Sequence, residues 1–491
     1  MNTKIKLILL VVLTITFSCS DYLDINDNPN APSSDDVTPD LILSGAMTDT
    51  YRTQARTMNI LGNTMMNNWG ANVNSFTGGF SEEFSLAIDN NFYSGIFTSL
   101  FRNTANFEAI INHPDNAYSN HKAIAKIMKT FYFQYLVDLY GDIPYSQAHK
   151  GIDNLTPAYD DDKEIYRALV TQLDEAIAMI GNADATTLDV GAEDVIFGGS
   201  MSSWVSFANT VKLRILMRES TKARNGDTES QTYLNQQFAT LQTAVFINDD
   251  VTINPGYSNE SVAQQNPFYA LFFSNNETTS VNYNFYRASQ YAVNFLINSA
   301  DSRINFLYDE ADDGSGGIVG HEQGADGDNS PAGLSPIGPG LVIDSGQDGY
   351  IMTGAESLLL QAEAQLYSYI PGNPQASFEA AIDASFALLG ADRSTYNPTT
   401  VGLGWAGSDE DKLEAIMRQK WIATNGINAI ESYIEFTRTG YPNDIPLALT
   451  AQSSTRPKRL MYPSSELVSN SANVPQQSSA DVFATGPFWA Q

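Results

Sequence analysis

Cysteine is almost absent from this chain. The single one, Cys19, allows no internal disulfide and no cysteine-based zinc site. Histidine is scarce too. His113, His121, His149 and His321 are scattered, and no His-Glu-x-x-His spacing occurs. Basic residues are few: 26 Lys and Arg stand against 56 Asp and Glu, a formal charge of −30. Binding a phosphate backbone needs dense Lys and Arg, so nucleic acid is excluded as a partner. The acidity otherwise favours solubility and says little about fold. Gly198-Gly199-Ser200-Met201-Ser202 lacks the final glycine of a nucleophile elbow. No nucleotide-binding motif appears either.

Aromatic residues, by contrast, are plentiful: 25 Phe, 24 Tyr and 5 Trp. A hydrophobic fraction of 43% is ample for a core, and 491 residues suffice for one large domain or two to three ordinary ones.

At the N-terminus, Lys4 and Lys6 precede an apolar run from Leu7 to Leu13, extended by Ile15 and Phe17. The run is too short to span a bilayer and has the charged start of a secretory signal, predicted over residues 1–18. Cys19 follows at once, which is the pattern of a bacterial lipoprotein acylated on that thiol. Ordinary signal cleavage, with Cys19 incidental, is the plainer alternative. Residues 19–36 then form the lipidated terminus and a linker rich in Asp, Asn, Pro and Ser. Its acidic residues lack the Gly and Glu offsets of a calcium loop.

The remainder, 37–491, reads as mainly α. Ile124, Met128, Phe131, Tyr135 and Leu139 recur at helical spacing, with Phe133, Leu136 and Val137 making the helix apolar nearly all round. Gly141 ends it and Asp142-Ile143-Pro144 forces an extended exit. Around it, helices are predicted from Pro39, across Ser81 to Ile111 as one helix or a broken pair, from Asp161 as cap to Gly181, and from Ser202 to Arg218. Arg214 and Arg218, one turn apart, are expected to pair with carboxylates inside the array. From about 246 to 349 no period is sustained, apart from a short helix near Gln290 to Ile297; so long an irregular stretch is usually functional. Helical order is predicted to return at Tyr350. Asn373 and Pro374 then open the return helix of a hairpin of roughly TPR size, and Asp409 to Ala423 gives another helix.

Several segments together resemble the SusD/RagB family, and within it the SusD-like outer-membrane lipoproteins of Bacteroidetes-type bacteria. They are Cys19-Ser20-Asp21-Tyr22-Leu23-Asp24, Tyr140 to Ala148 (YGDIPYSQA), Phe207-Ala208-Asn209 with Leu213-Arg214, and Ala355-Glu356 with Ala362-Glu363-Ala364. Gln419 to Ala423 (QKWIA), Arg438 to Pro442 (RTGYP), and Arg459-Leu460 with Tyr462 to Glu466 (YPSSE) complete the order. The family often carries two arginines before Thr-Gly, whereas here Thr437 precedes Arg438.

The resemblance implies a SusD-type superhelix of TPR-like hairpins with a loop-rich ligand-binding insertion, and no catalysis. It implies a surface-exposed outer-membrane lipoprotein that captures a glycan. The partner would be a SusC-like TonB-dependent β-barrel, which receives the ligand. Peptide or another nutrient is the alternative ligand. A surface glycoside hydrolase is the rival reading, and a protein-binding TPR scaffold a third.

Sugar binding needs flat aromatic faces with amide and guanidinium groups beside them. Two stretches offer these where the family binds: Trp69, Asn72 and Phe76; and Tyr283, Asn284, Tyr286, Arg287 and Tyr291. Each aromatic has a core-packing alternative. No cofactor is expected. Asp309, Asp312, Asp313, Asp326 and Asp328 offer oxygen ligands for calcium, but their spacing fits no standard loop and a solvated flexible loop is the better reading.

Overall fold

The computed structural model describes residues 37–71, 80–325, 331–394, 396–401 and 403–490. The proposed signal, Cys19 and the linker lie outside them. Among the described residues no helix is long and apolar enough to cross a membrane.

The fold is mainly α-helical. Its first half contains α1 (Pro39–Thr53), α2 (Asn59–Met65), α3 (Gly95–Ile111), α4 (Ser119–Tyr140), α5 (Asp162–Gly181), α6 (Met201–Arg224) and α7 (Thr228–Thr240). The irregular middle contributes α8 (Gln290–Asn298). The second half adds α9 (Gly354–Leu366), α10 (Pro374–Leu389), α11 (Asp409–Thr424) and α12 (Ala429–Thr439). Helices adjacent in sequence pack together: α3 on α4, α4 on α5, α6 on α7, α9 on α10.

Helix α4 is the centre of the array. Every residue from Asn120 to Tyr140 except Lys126 is buried. Gly141 ends it with φ of 79°, a region that costs an L side chain energy. The last residues of the chain return to this helix. Trp489, buried, donates its indole N–H to Asp138 Oδ1 at 3.1 Å.

The predicted caps at Asp161 and Asn373 form, and an unpredicted one joins them at Ser408. Asp161 accepts from the Lys163 and Glu164 amides, Asn373 from Ala376, and Ser408 and Asp411 close a reciprocal capping box. The stretch 81–111 is a broken pair, a single turn at Ser81–Ser85 and then α3.

Two expectations are corrected. Tyr350 to Met352 belongs to a strand, β4 (Gly349–Met352), and α9 begins only at Gly354. The strand pairs antiparallel with β2 (Val251–Ile253), a partner too distant in sequence to betray itself by period. Helix α12 was not anticipated, because its inner face is charged.

That face explains Arg214 and Arg218. Arg214 donates to Glu431 at 3.1 Å; Arg218 donates to Glu431 at 2.6 Å, to Asp138 at 3.2 Å and to Glu435. Lys420 reaches Glu435 at 3.0 Å. Helices α4, α6, α11 and α12 are thereby joined through one buried ionic network. Its charges survive burial because each is paired and hydrogen-bonded.

Candidate ligand-binding site

Two short strands bring the two predicted binding stretches together. Strand β1 (Trp69–Ala71) pairs antiparallel with β3 (Tyr286–Ala288), with Trp69 opposite Ala288, Gly70 opposite Arg287 and Ala71 opposite Tyr286. Glycine is required at position 70. A Cβ there would lie 2.8 Å from the His321 carbonyl oxygen, which accepts from the Gln290 amide.

The pairing builds a stack of rings. Tyr286 lies between Trp69 (centroids 5.4 Å apart, planes at 25°) and Phe80 (5.2 Å, 15°). Phe285 packs on Phe80 at 4.8 Å. One end of this stack opens into a cavity of about 270 Å³. Phe80, Phe285, Tyr286 and Ile60 supply its apolar wall; Glu83, Tyr93, Asn282 and Thr57 supply polar atoms. Apolar faces with a few convergent polar groups are what a sugar site needs.

The polar groups are held in place. Tyr93 donates its hydroxyl to Glu83 Oε1 at 2.8 Å. Burial raises the Glu83 carboxyl above the usual carboxylate range, and pushes the Tyr286 hydroxyl up to about 12. Phe80 and Tyr93 both adopt left-handed backbone, with φ of 54° and 49°. Bulky residues rarely do so, and such outliers cluster at functional sites. Thr57 stands in a π-helical turn, Gln54–Met58, inserted between α1 and α2. Single π turns inside helices also mark functional sites.

The predicted site residues are placed unequally. Tyr286 lines the cavity. Trp69 has no accessible surface; it packs against Phe268, Phe272 and Tyr286, so as an open platform it is corrected to core. Arg287 is likewise fully buried, donating to the Asn284 carbonyl at 3.2 Å and pairing with Asp312 at 3.4 Å. Tyr283 is half-buried against Phe273, and Asn284 is exposed. Tyr291 is engaged elsewhere: it donates to Asp444 and accepts from Arg418, both at 2.9 Å. Asn72 and Phe76 lie outside the described residues. Glu83, Tyr93, Asn282 and Phe285 were not singled out by sequence; the left-handed bends at Phe80 and Tyr93 that aim them have no sequence signature.

A second hollow, about 390 Å³, adjoins the first across Thr57. It is polar and is walled by α1, the π turn and α3, with Arg52, Arg56 and Arg102 among its residues. A third cavity of about 240 Å³ lies beside Tyr51 and Tyr350. There the Tyr51 hydroxyl is already taken by the Tyr350 amide at 3.0 Å, and no stacked rings wall it.

For calcium, the structure does not gather Asp309, Asp312 and Asp313. Asp312 faces Arg287, Asp313 accepts from the Ser315 amide and Asp309 from that of Glu310. Asp326 and Asp328 lie outside the described residues. Among the described residues the carboxylates that do converge are Asp142, Asp161 and Asp162, with oxygens within 4.8 Å of one another. Each already serves the fold: Asp142 accepts the Asp162 amide, Asp161 caps α5, and Asp162 accepts the Phe488 amide at 2.7 Å.

No curated protein matches the chain. Solved structures do. A chitin-binding SusD homolog from Flavobacterium johnsoniae superposes with a TM-score of 0.73 at 23% identity, covering 91% of this chain and 98% of that one. A SusD homolog from Bacteroides fragilis gives 0.72 at 19% identity, covering 93% and 100%. A SusD/RagB family protein from Bacteroides thetaiotaomicron gives 0.71 at 20%, covering 92% and 99%. At these identities the likeness is one of fold. A SusD-like family profile, described as starch-binding associating with outer membrane, matches residues 29–463, most of the chain. The chain therefore belongs to the SusD/RagB family of outer-membrane nutrient-binding proteins.

Proposed function

We propose that this protein captures oligosaccharide at the cell surface and delivers it to a SusC-like TonB-dependent β-barrel. The observation that carries the reading is the Trp69–Tyr286–Phe80 stack opening into a cavity that also holds Glu83, Tyr93 and Asn282. Family membership makes the chain a binder and not an enzyme. Two similar structures are described as chitin-binding, and they lend the glycan reading its weight over peptide.

The anchor would be the acylated Cys19, with residues 19–36 as tether. The paired helices would form the TPR-like superhelix, placing the irregular stretch 246–349 toward the ligand. Tyr286, with Tyr283 and Asn284 from the same stretch and Asn72 and Phe76 from the segment after β1, would contact the sugar. Trp69 and Arg287 would support them from beneath.

Titration calorimetry of the mature protein against oligosaccharide and peptide panels tests this. Oligosaccharide should bind and be recovered intact. Cleavage, or binding of peptides alone, would refute it. Co-purification of a β-barrel from outer membranes tests the delivery step.

A further inference from the structure

The second hollow carries charge of the wrong sign for this chain. Acidic residues outnumber basic ones by more than two to one, 56 to 26. Many buried or half-buried cations elsewhere pair with carboxylates, as Arg167 with Glu219, Arg303 with Asp301, Arg418 with Asp444 and Arg438 with Glu363, while Arg456 is held by the carbonyls of Met65, Ile445 and Pro446. Arg52, Arg56 and Arg102 converge on one cavity instead, and among the described residues none of them forms an ion pair. Arg52 donates only to the Ala263 carbonyl at 3.2 Å, and Arg102 only to Asn103 Oδ1 at 3.5 Å. Asp49 is the one acidic residue in the wall.

The arrangement is costly to maintain. Arg52 and Arg56 sit four residues apart on one helical run, where like charges repel. Burial, and then the charge of Arg52, lower the Arg56 pKa. Among the described residues this cluster opposes itself and forms no ion pair, Asp49 in its wall notwithstanding, and an external anion would relieve it. Guanidinium groups present planar donors matched to carboxylate and sulfate oxygens. Thr57 borders both hollows, and the charge of Arg56 is felt at the Tyr286 hydroxyl in the aromatic one. A single ligand can therefore occupy both.

We infer that the ligand is an anionic oligosaccharide. One sugar ring occupies the cavity beside Phe80 and Tyr286, and a carboxylate or sulfate substituent seats among Arg52, Arg56 and Arg102. The inference rests on the glycan-binding reading above and narrows it to charged glycans. The net negative charge of the rest of the protein makes this local positive site the place where an anion is tolerated.

The test uses the mature full-length protein in detergent. Its probes are a galacturonic acid tetramer, a sulfated galactan tetramer, a neutral glucose tetramer and an acidic peptide. At least one charged tetramer should bind tenfold or more tighter than the neutral one, with affinity falling as salt rises. Comparison of the two charged probes tells carboxylate from sulfate. Arg56→Gln should weaken the charged probe about tenfold and the neutral one much less. Arg102→Gln, an exposed position that leaves folding intact, should do the same. Equal binding of charged and neutral tetramers, sensitive to Tyr286→Ala, would overturn the inference while sparing the glycan reading. Binding of the acidic peptide alone, or of nothing, would overturn both.

Discussion

Arg438 donates two parallel hydrogen bonds to Glu363, at 2.8 and 2.6 Å, with both side chains fully buried. The same guanidinium reaches Glu435 through Nε at 2.6 Å. Arg438 therefore ties α12 to α9 in the fork geometry that only arginine offers.

Removing one partner strands the other in the core. Arg438→Met should lower stability by about 3–5 kcal/mol, as should Glu363→Met within a factor of two. The double replacement Arg438→Met with Glu363→Met should cost less than the two singles combined, since no bare charge remains in that pair. Urea denaturation of the set measures this; strict additivity would contradict the pairing.

Tyr286 carries two separable roles. Its ring fills the space between Trp69 and Phe80, so Tyr286→Ala should cost about 3–5 kcal/mol by opening a cavity. Tyr286→Phe keeps the ring and should remain within about 1 kcal/mol of the parent. Thermal melts give the first comparison. Calorimetry with a bound glycan gives the second, in which the phenylalanine variant should retain most affinity and the alanine variant lose it.

His149 sits among Phe101, Phe133 and Lys129, and burial first, then the lysine charge, depress its pKa to about 4. The unfolded chain titrates near 6.5. The fold thus prefers the neutral ring. Its contribution is complete above about pH 6.5 and is lost as pH falls toward 4, by at most about 3 kcal/mol. His149→Asn keeps a residue tolerant of the left-handed φ of 60° found there. The gap in stability between parent and variant should shrink, then reverse, between pH 7 and pH 4. A constant gap would show that His149 does not titrate as described.

Two helical glycines should respond oppositely to alanine. A Cβ on Gly62 would fall 2.2 Å from the backbone of Ala429 and Ile430, where α2 meets α12. Gly62→Ala should therefore destabilise by about 1–3 kcal/mol or more. Gly45, exposed in mid-α1, has nothing within 4 Å of that position. Gly45→Ala should stabilise by about 0.5–1 kcal/mol.

The elements that could be read from sequence are those whose signals are local. Helix α4 is apolar on every side and ends at a glycine, so its limits follow from a few residues. The caps at Asp161 and Asn373 are equally local. Helix α12 escaped because Glu431, Glu435 and Arg438 point inward, and a hydrophobic period counts such residues as surface. Strands β1 and β3 are three residues each, too short to show alternation. At the site, sequence singled out both stretches that pair, yet could not foresee that pairing them would bury Trp69 and Arg287. The arginine cluster spans two helices, and only packing α1 on α3 reveals it.

The contact between Trp489 and Asp138 joins two distant parts of the sequence. The indole that covers the aspartate of helix α4 lies 351 residues away in sequence. Asp138 also accepts from Arg218 and Tyr166, whose helices lie in between. The centre of the molecule is consequently complete only when segments from distant parts of the sequence have met. Trp489→Ala would leave a gap beside this buried carboxylate and remove one of its donors, so a residue far from helix α4 in sequence helps decide whether the centre of the array holds.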